Sequence, residues 1–241
     1  MSAISITTVP GRRGAGFALL AAGLCGVGLA FTWVLAQLVP VTHVRDAVAL
    51  YDFTRLDRPF VEGPANALLY MLEPALFVVW GIALVAVALS RGRPRIALAV
   101  AVVLSVAPLS AELLKPLTAH PHAQIGSLYI TEASWPSGHS TAAMALVWCA
   151  LLVAPPARRR AVAMSGAVLA AAVGCALLIL AWHMPSDVLG GYLLATLWTA
   201  LAVAALRVSG RRGALRRPYL RVPRRARREP IATPAPHSRR G

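Results

Sequence analysis

Long apolar runs alternate with short charged clusters along this chain, and the runs have the length of bilayer crossings. A hydrocarbon core of about 30 Å takes ~20 helical residues, a few more with tilt. Six segments reach or approach that length: residues 16–39, 65–89, 95–114, 138–154, 161–182 and 188–207. The fourth and sixth are at the short end, and the fifth is rich in alanine. Neither strand-like alternation nor a Gly-Ser linker points to a second domain, and Gly and Ala within the runs allow close helix packing. The expected fold is all-α, an integral membrane bundle of six transmembrane helices over residues 16–207. A cytoplasmic N-terminal segment, 1–15, precedes it and a basic tail, 208–241, follows. The run from Gly16 to Val39 is too long for the apolar part of a signal peptide, so an uncleaved first span is expected.

The clusters between the runs give the orientation. Arg12 and Arg13 precede the first span, Arg91, Arg93 and Arg95 join the second to the third, and Arg158, Arg159 and Arg160 join the fourth to the fifth. With the tail, six spans place 20 of the 24 basic residues on one side and leave Arg45, Arg55, Arg58 and Lys115 on the other. By the positive-inside rule both termini are cytoplasmic. Removing any one span would scatter the arginines over both faces. The outer side then holds the loops at about 40–64 and 115–137, the first able to lie on the surface as a short helix or two.

Composition fits this reading. Apolar residues make up 58%, mean hydropathy is +0.65 and only 14% of residues are charged, where soluble domains carry about 25%. The net charge of +15 raises nucleic acid as a partner, but half of the basic residues lie after Leu206 in a proline-broken tail with no folded basic surface. That tail reads as a disordered anchor touching anionic headgroups, not a nucleic-acid site. Cys25, Cys149 and Cys175 sit inside apolar runs with no disulfide or zinc spacing, and read as packing residues. Abundant Ala, Gly and Arg with almost no lysine fits a GC-rich bacterial genome.

Three polar stretches interrupt the pattern at span ends: Lys115 to Ala123, Trp135 to Ser140, and Trp182 to Gly191. Polar groups at membrane depth are costly and mark function by default. From His139 to His183 is 44 residues, two crossings of ~20 and a turn, so the chain leaves and returns to one face. No span separates Lys115 from His139. All three stretches therefore meet on the outer side.

These residues resemble the type 2 phosphatidic acid phosphatase family, the membrane branch of the superfamily that includes the vanadium haloperoxidases. Its motifs are K-x6-R-P, P-S-G-H and S-R-x5-H-x3-D. Pro136-Ser137-Gly138-His139 matches the second in full, His183 and Asp187 match the end of the third, and Lys115 matches the first. The resemblance covers about the second span to the sixth. It implies that His183 attacks phosphorus to form a phosphohistidine while Asp187, one turn on, fixes its tautomer. His139 would protonate the leaving oxygen and then activate water. Lys115, the Ser137 hydroxyl and the Gly138 N–H would hold the phosphoryl oxygens at a helix N-terminus, with no metal or other cofactor.

Both arginines of the family pattern are replaced. His122 and Ala123 stand at the Arg-Pro of the first motif, and Ala176 and Leu177 at the Ser-Arg of the third. Losing two Arg forks weakens the hold on a phosphate dianion. His120 and His122, when protonated, or Arg55 or Arg58 folding over the site, are the candidate substitutes; His120 and His122 also read as ordinary loop residues. Ser137 and Asp187 read equally as helix caps, a role compatible with catalysis. Glu73 and Glu112 stand near outer span ends as partners for Lys115 or the loop arginines, and His43 has no assigned role.

The expectation is thus a multi-pass plasma-membrane phosphatase with its active site outside. Its partners are membrane lipids, and its substrate is a lipid phosphate or diphosphate such as polyprenyl diphosphate, phosphatidic acid or phosphatidylglycerol phosphate. The alternatives are a catalytically silent relative that binds phospholipid or a partner protein, and a phosphotransferase. No feature specifies an oligomeric state.

Overall fold

The computed structural model describes residues 10–123 and 129–215. Eight α-helices and one 3-10 turn make up these residues: α1 (Pro10–Gln37), α2 (Pro40–Thr54), α3 (Pro59–Tyr70), α4 (Pro74–Ser90), α5 (Pro94–Thr118), α6 (Gly138–Val153), the turn Pro156–Arg158, α7 (Arg159–Ile179) and α8 (Pro185–Leu215). No strand occurs among them. Six of the eight helices open on proline, whose fixed φ suits the first helical position and whose missing N–H costs nothing there. The protein is an all-helical membrane protein.

Four helices are long and apolar enough to cross a membrane: α1 from Gly14, α5, α7 with the turn before it, and α8 to Ser209. The expected second span, 65–89, is not one rod. α3 and α4 meet at a bend of 57° across Met71–Glu73, where Pro74 has no N–H to continue the ladder and holds Glu73 extended at ψ 148°. The indole Nε1 of Trp80 donates to the freed Met71 carbonyl at 3.1 Å. The expected fourth span is α6, whose 16 residues cover about 24 Å. Six full-length crossings are therefore not what the helix lengths give; four are, or five with the bent pair. α1 starts six residues ahead of the expected boundary, at Pro10, and α8 runs past 207 to Leu215. Residues 1–9 and the tail beyond 215 lie outside the described residues.

α6 is the axis of the bundle. It packs on α4, α5, α7 and α8, while α1 leans mainly on α8. Ala145, Cys149 and Val153 of α6 meet Val100, Val103 and Leu104 of α5 in one core. A second core gathers Leu50 of α2, Leu69 of α3, Val173 and Leu177 of α7 and Val188 of α8. The stretch expected as a first loop, 40–64, is thus helical: α2 docks onto α7 and α8, and α3 onto α7. Contact at α6–α8 depends on Gly191, where an added Cβ would stand 2.6 Å from the Ser137 carbonyl oxygen and 2.9 Å from the Thr141 nitrogen. At one end of the bundle Arg91 and Arg93 donate to the Val153 carbonyl, at 2.8 and 3.1 Å, closing the C-terminus of α6. The N-termini of α6 and α8 lie at the opposite end.

Candidate active site

α6 begins on Ser137, which is fully buried. Its hydroxyl accepts the Ser140 N–H at 3.4 Å, and its carbonyl accepts the hydroxyls of Ser140 and Thr141 at 3.1 and 2.7 Å. The capping role is real, and it leaves the Ser137 hydroxyl proton free to donate. Among the described residues, the N–H groups of Gly138 and His139 have no acceptor. They point outward with the positive end of the α6 dipole, a ready anion site.

Lys115, in the last turn of α5, stands beside that opening. Its Nζ donates to both oxygens of Glu112, at 2.7 and 2.9 Å. A Cβ on Gly138 would lie 2.8 Å from Glu112 Oε1 and 3.9 Å from Lys115 Nζ. A carboxylate therefore rests where an anion would approach the α6 N-terminus.

The connection from α7 to α8 places the second histidine. The Trp182 N–H reaches the Leu177 carbonyl at 2.9 Å and the Ala181 N–H reaches that of Leu178 at 3.2 Å, with Ala181 at φ 53°. This is the pattern that ends a helix through one left-handed residue, a position favouring glycine. His183 follows at once. Its Nδ1 lies 3.4 Å from Asp187 Oδ2, the histidine side chain 12% exposed and the aspartate fully buried. That separation is long for a hydrogen bond, and catalytic contacts commonly tighten only with substrate bound. The same Oδ2 accepts the Met184 N–H at 2.9 Å, so Asp187 caps its own helix and faces His183 with one atom. Its Oδ1 is buried and has no hydrogen-bond partner among the described residues. The Ser137 N–H donates to the Asp187 carbonyl at 3.0 Å, tying the starts of α6 and α8 together.

His139 completes the cluster. Its ring meets the edge of Trp182 at 5.7 Å between centroids, and the charges of His183, Glu73, Lys115 and Glu112 all reach it. Lys115, Gly138 and His139 thus stand at the start of α6 and His183 and Asp187 at the start of α8, linked by the His139–Trp182 contact and the Ser137–Asp187 hydrogen bond.

The two loop histidines behave differently from each other. His122 Nε2 lies 2.9 Å from Ser134 Oγ and 3.1 Å from the Thr131 carbonyl. Burial pushes its pKa down, opposed by the nearby Asp187 carboxylate, so neutral His122 is favoured where an arginine would be charged. His120 packs against His43, centroids 6.0 Å apart, and His43 stacks on His122 at 6.4 Å. Among the described residues no three His, Cys, Asp or Glu side chains converge as a metal site. At the other replaced arginine, Leu177 is fully buried in the core. Arg55 pairs with Asp52 at 3.6 Å on its own exposed helix, and Arg58 bonds the Asp57 carbonyl. Among the described residues neither makes a hydrogen bond or ion pair with a motif residue.

Sequence reasoning gave no role to Asp46 on α2. Its Oδ1 accepts the Ser186 N–H at 3.1 Å and its Oδ2 the Ser186 hydroxyl at 2.6 Å. Asp46 thereby holds the first turn of α8 next to Asp187. Its only sequence signal was an acidic residue in an outer loop, which gives no hint of a partner 140 residues away.

The geometry agrees with what the chain resembles. A model of the PAP2 superfamily matches residues 67–211. The crystal structure of the first transmembrane PAP2 type phosphatidylglycerolphosphate phosphatase, from Bacillus subtilis, superposes with a TM-score of 0.61 at 17% identity, covering 80% of this chain and 96% of that one. No curated protein matches the sequence. The family model spans more than half of the chain, from the middle of α3 almost to the end of α8, and the chain belongs to the PAP2 superfamily.

Proposed function

We propose that this protein is an integral membrane phosphatase that hydrolyses a lipid phosphate or diphosphate at the extracytoplasmic face through a phosphohistidine. The observation that carries the proposal is the meeting of the His183–Asp187 pair, His139 and the unoccupied N–H groups of α6 beside Lys115. His183 Nδ1 faces Asp187, which leaves Nε2 to attack phosphorus. The bond to the leaving oxygen breaks as His139 donates its proton to that oxygen. His139, now neutral, takes a proton from water, whose oxygen attacks the phosphohistidine and releases phosphate. Gly138 and His139 N–H groups, with Lys115, stabilise the equatorial oxygens as charge builds. No step needs a metal.

The membrane arrangement in this proposal has six crossings: α1, the bent α3–α4 pair, α5, the short α6, α7 and α8. Arg91 and Arg93 at the C-terminal end of α6 then mark the cytoplasmic side by the positive-inside rule, and the site opens on the other. Residues 16–207 form the catalytic unit, and the basic tail meets anionic headgroups. Phosphatidic acid, phosphatidylglycerol phosphate and polyprenyl diphosphate are the substrates to rank.

Phosphate release by detergent-purified protein from these three lipids, beside His183→Ala, tests the proposal. Release that vanishes in the variant supports it; no release from folded protein between pH 5 and 8 refutes it. One observation favours a catalytically silent lipid binder instead: the buried apolar Leu177 where the family carries a phosphate-clamping arginine. Product analysis with an added alcohol separates hydrolysis from phosphotransfer.

A further inference from the structure

α4 packs on α5 and α6, and α7 packs on α6 and α3. Between α4 and α7, with α6 as its floor, lies a groove of about 480 Å³ walled by Leu72, Leu84, Leu146, Ala150, Val162 and Leu169, within the ~300–1,000 Å³ of ligand pockets. Its two polar lining side chains are already engaged: Trp80 Nε1 donates to the Met71 carbonyl and Ser165 Oγ to the Val162 carbonyl. Only hydrocarbon is presented. From the bend at Met71 the groove descends α4 to Val87, which from Pro74 is about 20 Å at 1.5 Å per residue, deeper than one ~15 Å leaflet of the bilayer core.

The upper end decides the occupant. Met71 also lines a second cavity of about 400 Å³, with Tyr70, Glu73 and Trp182, and Trp182 is the residue whose ring packs on His139. Met71 is thus shared by the groove and this second cavity, and Trp182, on the far side of that cavity, is in contact with His139.

We propose that this groove holds one long hydrocarbon chain of the substrate while its phosphate lies between His139 and His183. The assignment rests on the lipid phosphatase reading and deepens it. The α3–α4 bend is what opens the groove beneath the site, so the broken second span is a substrate feature. Chain length, read by the groove, then contributes to specificity separately from the headgroup.

Cross-linking judges the groove without turnover. His183→Ala protein in nanodiscs is given a phosphatidate carrying a diazirine midway along one acyl chain, and labelled peptides are mapped. Labels concentrated on the groove faces of α4, α6 and α7 are expected, displaced by excess dioleoyl phosphatidate and not by dioleoyl phosphatidylcholine. Adding Ala150→Phe should cut that labelling at least tenfold, while Ala171→Phe, exposed and about two and a half turns from Val162 on the opposite face of α7, should not. Labels spread evenly over lipid-facing helices such as α1, or displaced equally by both lipids, overturn the proposal.

Kinetics give a second arm. Ala150→Phe, and Ala83→Phe on the exposed wall should the first fail to fold, are expected to lower kcat/KM at least tenfold for dioleoyl phosphatidate and leave dibutanoyl phosphatidate unchanged. Equal loss on both substrates counts against the groove. Wild-type protein that releases no phosphate from either would refute the phosphatase reading alone, because the cross-links still report where the chain lies.

Discussion

Replacing Asp46 separates a structural cap from a mere surface charge. The carboxylate accepts both the N–H and the hydroxyl of Ser186, and Ser186 is 8% exposed. Asp46→Ala strands these two donors where water hardly reaches, at a cost of about 1–3 kcal/mol for a buried unsatisfied group. Asp46→Asn behaves otherwise. It keeps an acceptor for the N–H and removes a carboxylate whose pKa burial has raised, so loss of charge–dipole strength and relief of desolvation nearly cancel, within ~1 kcal/mol. Because the folded state holds that proton more tightly than the unfolded chain, stability falls as pH rises from the ordinary aspartate range through the raised value; Asp46→Asn removes that slope. The catalytic consequence follows from position. Ser186 neighbours Asp187, and a displacement of ~1 Å at a catalytic group can cost about a hundredfold in rate. Asp46→Ala should lower kcat roughly 10–100-fold with a small change in KM, and Asp46→Asn less than about fivefold. Thermal unfolding in detergent across pH 4 to 7, with phosphate-release kinetics on the same preparations, measures both. If Asp46→Ala matches wild type in midpoint and kcat, or if Asn is worse than Ala, the cap argument is wrong.

Asp187→Asn should keep the fold and lower kcat by several orders of magnitude, since the amide holds His183 in the wrong tautomer; phosphate release with an unchanged unfolding midpoint checks it. Gly138→Ala pushes a methyl to within 2.8 Å of Glu112 Oε1, a half-exposed group able to swing away. Stability should then change by less than ~1 kcal/mol while KM rises about tenfold or more, and an unaltered KM would remove Gly138 from the phosphate site. Gly191→Ala instead forces a Cβ against the backbone of α6 and should cost about 3 kcal/mol or more, seen as loss of monodisperse protein. Lowering pH toward 5 should raise turnover as His122 gains charge and erode stability, because its depressed pKa makes the unfolded chain take up the proton first. His122→Gln should flatten the pH–rate profile, and an acid rise that survives would assign the charge elsewhere.

The sequence was most legible where one residue type had one physical reason. Helices open on proline at Pro40, Pro59, Pro94 and Pro185, starts that the hydropathy runs alone did not mark, while the spacing of His139 and His183 across two crossings put them at one end of the bundle. Lys115 is the chain's single lysine among 24 basic residues, and it stands beside the α6 N-terminus. Legibility failed where tertiary contact decides. A hydropathy window reads straight through Met71–Glu73, because the residues around the 57° bend stay apolar and Pro74 also suits a helix start. Glu112 was expected only as a possible partner of Lys115; that their pair lies over Gly138 depends on how α5 meets α6. Leu177 reads in sequence as a lost arginine, and in the fold it is a core residue with no room facing the site.

The two helix starts joined by the Ser137–Asp187 hydrogen bond are not equivalent, and the difference supports the proposed place of the phosphate. At α8, Asp187 takes the Met184 N–H, Pro185 has none, and Asp46 takes the Ser186 N–H. The Asp187 N–H donates to the Met184 carbonyl, so the early donors of that helix are engaged, and two carboxylates stand there. At α6 the Gly138 and His139 N–H groups have no acceptor among the described residues, and Lys115 is adjacent. A phosphate dianion is repelled by the first, while at the second it would take the place of the Glu112 carboxylate that now pairs with Lys115. Under the proposed mechanism His183, in the turn before α8, would then reach toward phosphate held at α6 and attack it from one side. His139, in the first turn of α6 itself, would be left to manage the proton of the leaving group. In that proposal the division of labour follows from which helix N-terminus is closed and which is open, whatever lipid carries the phosphate.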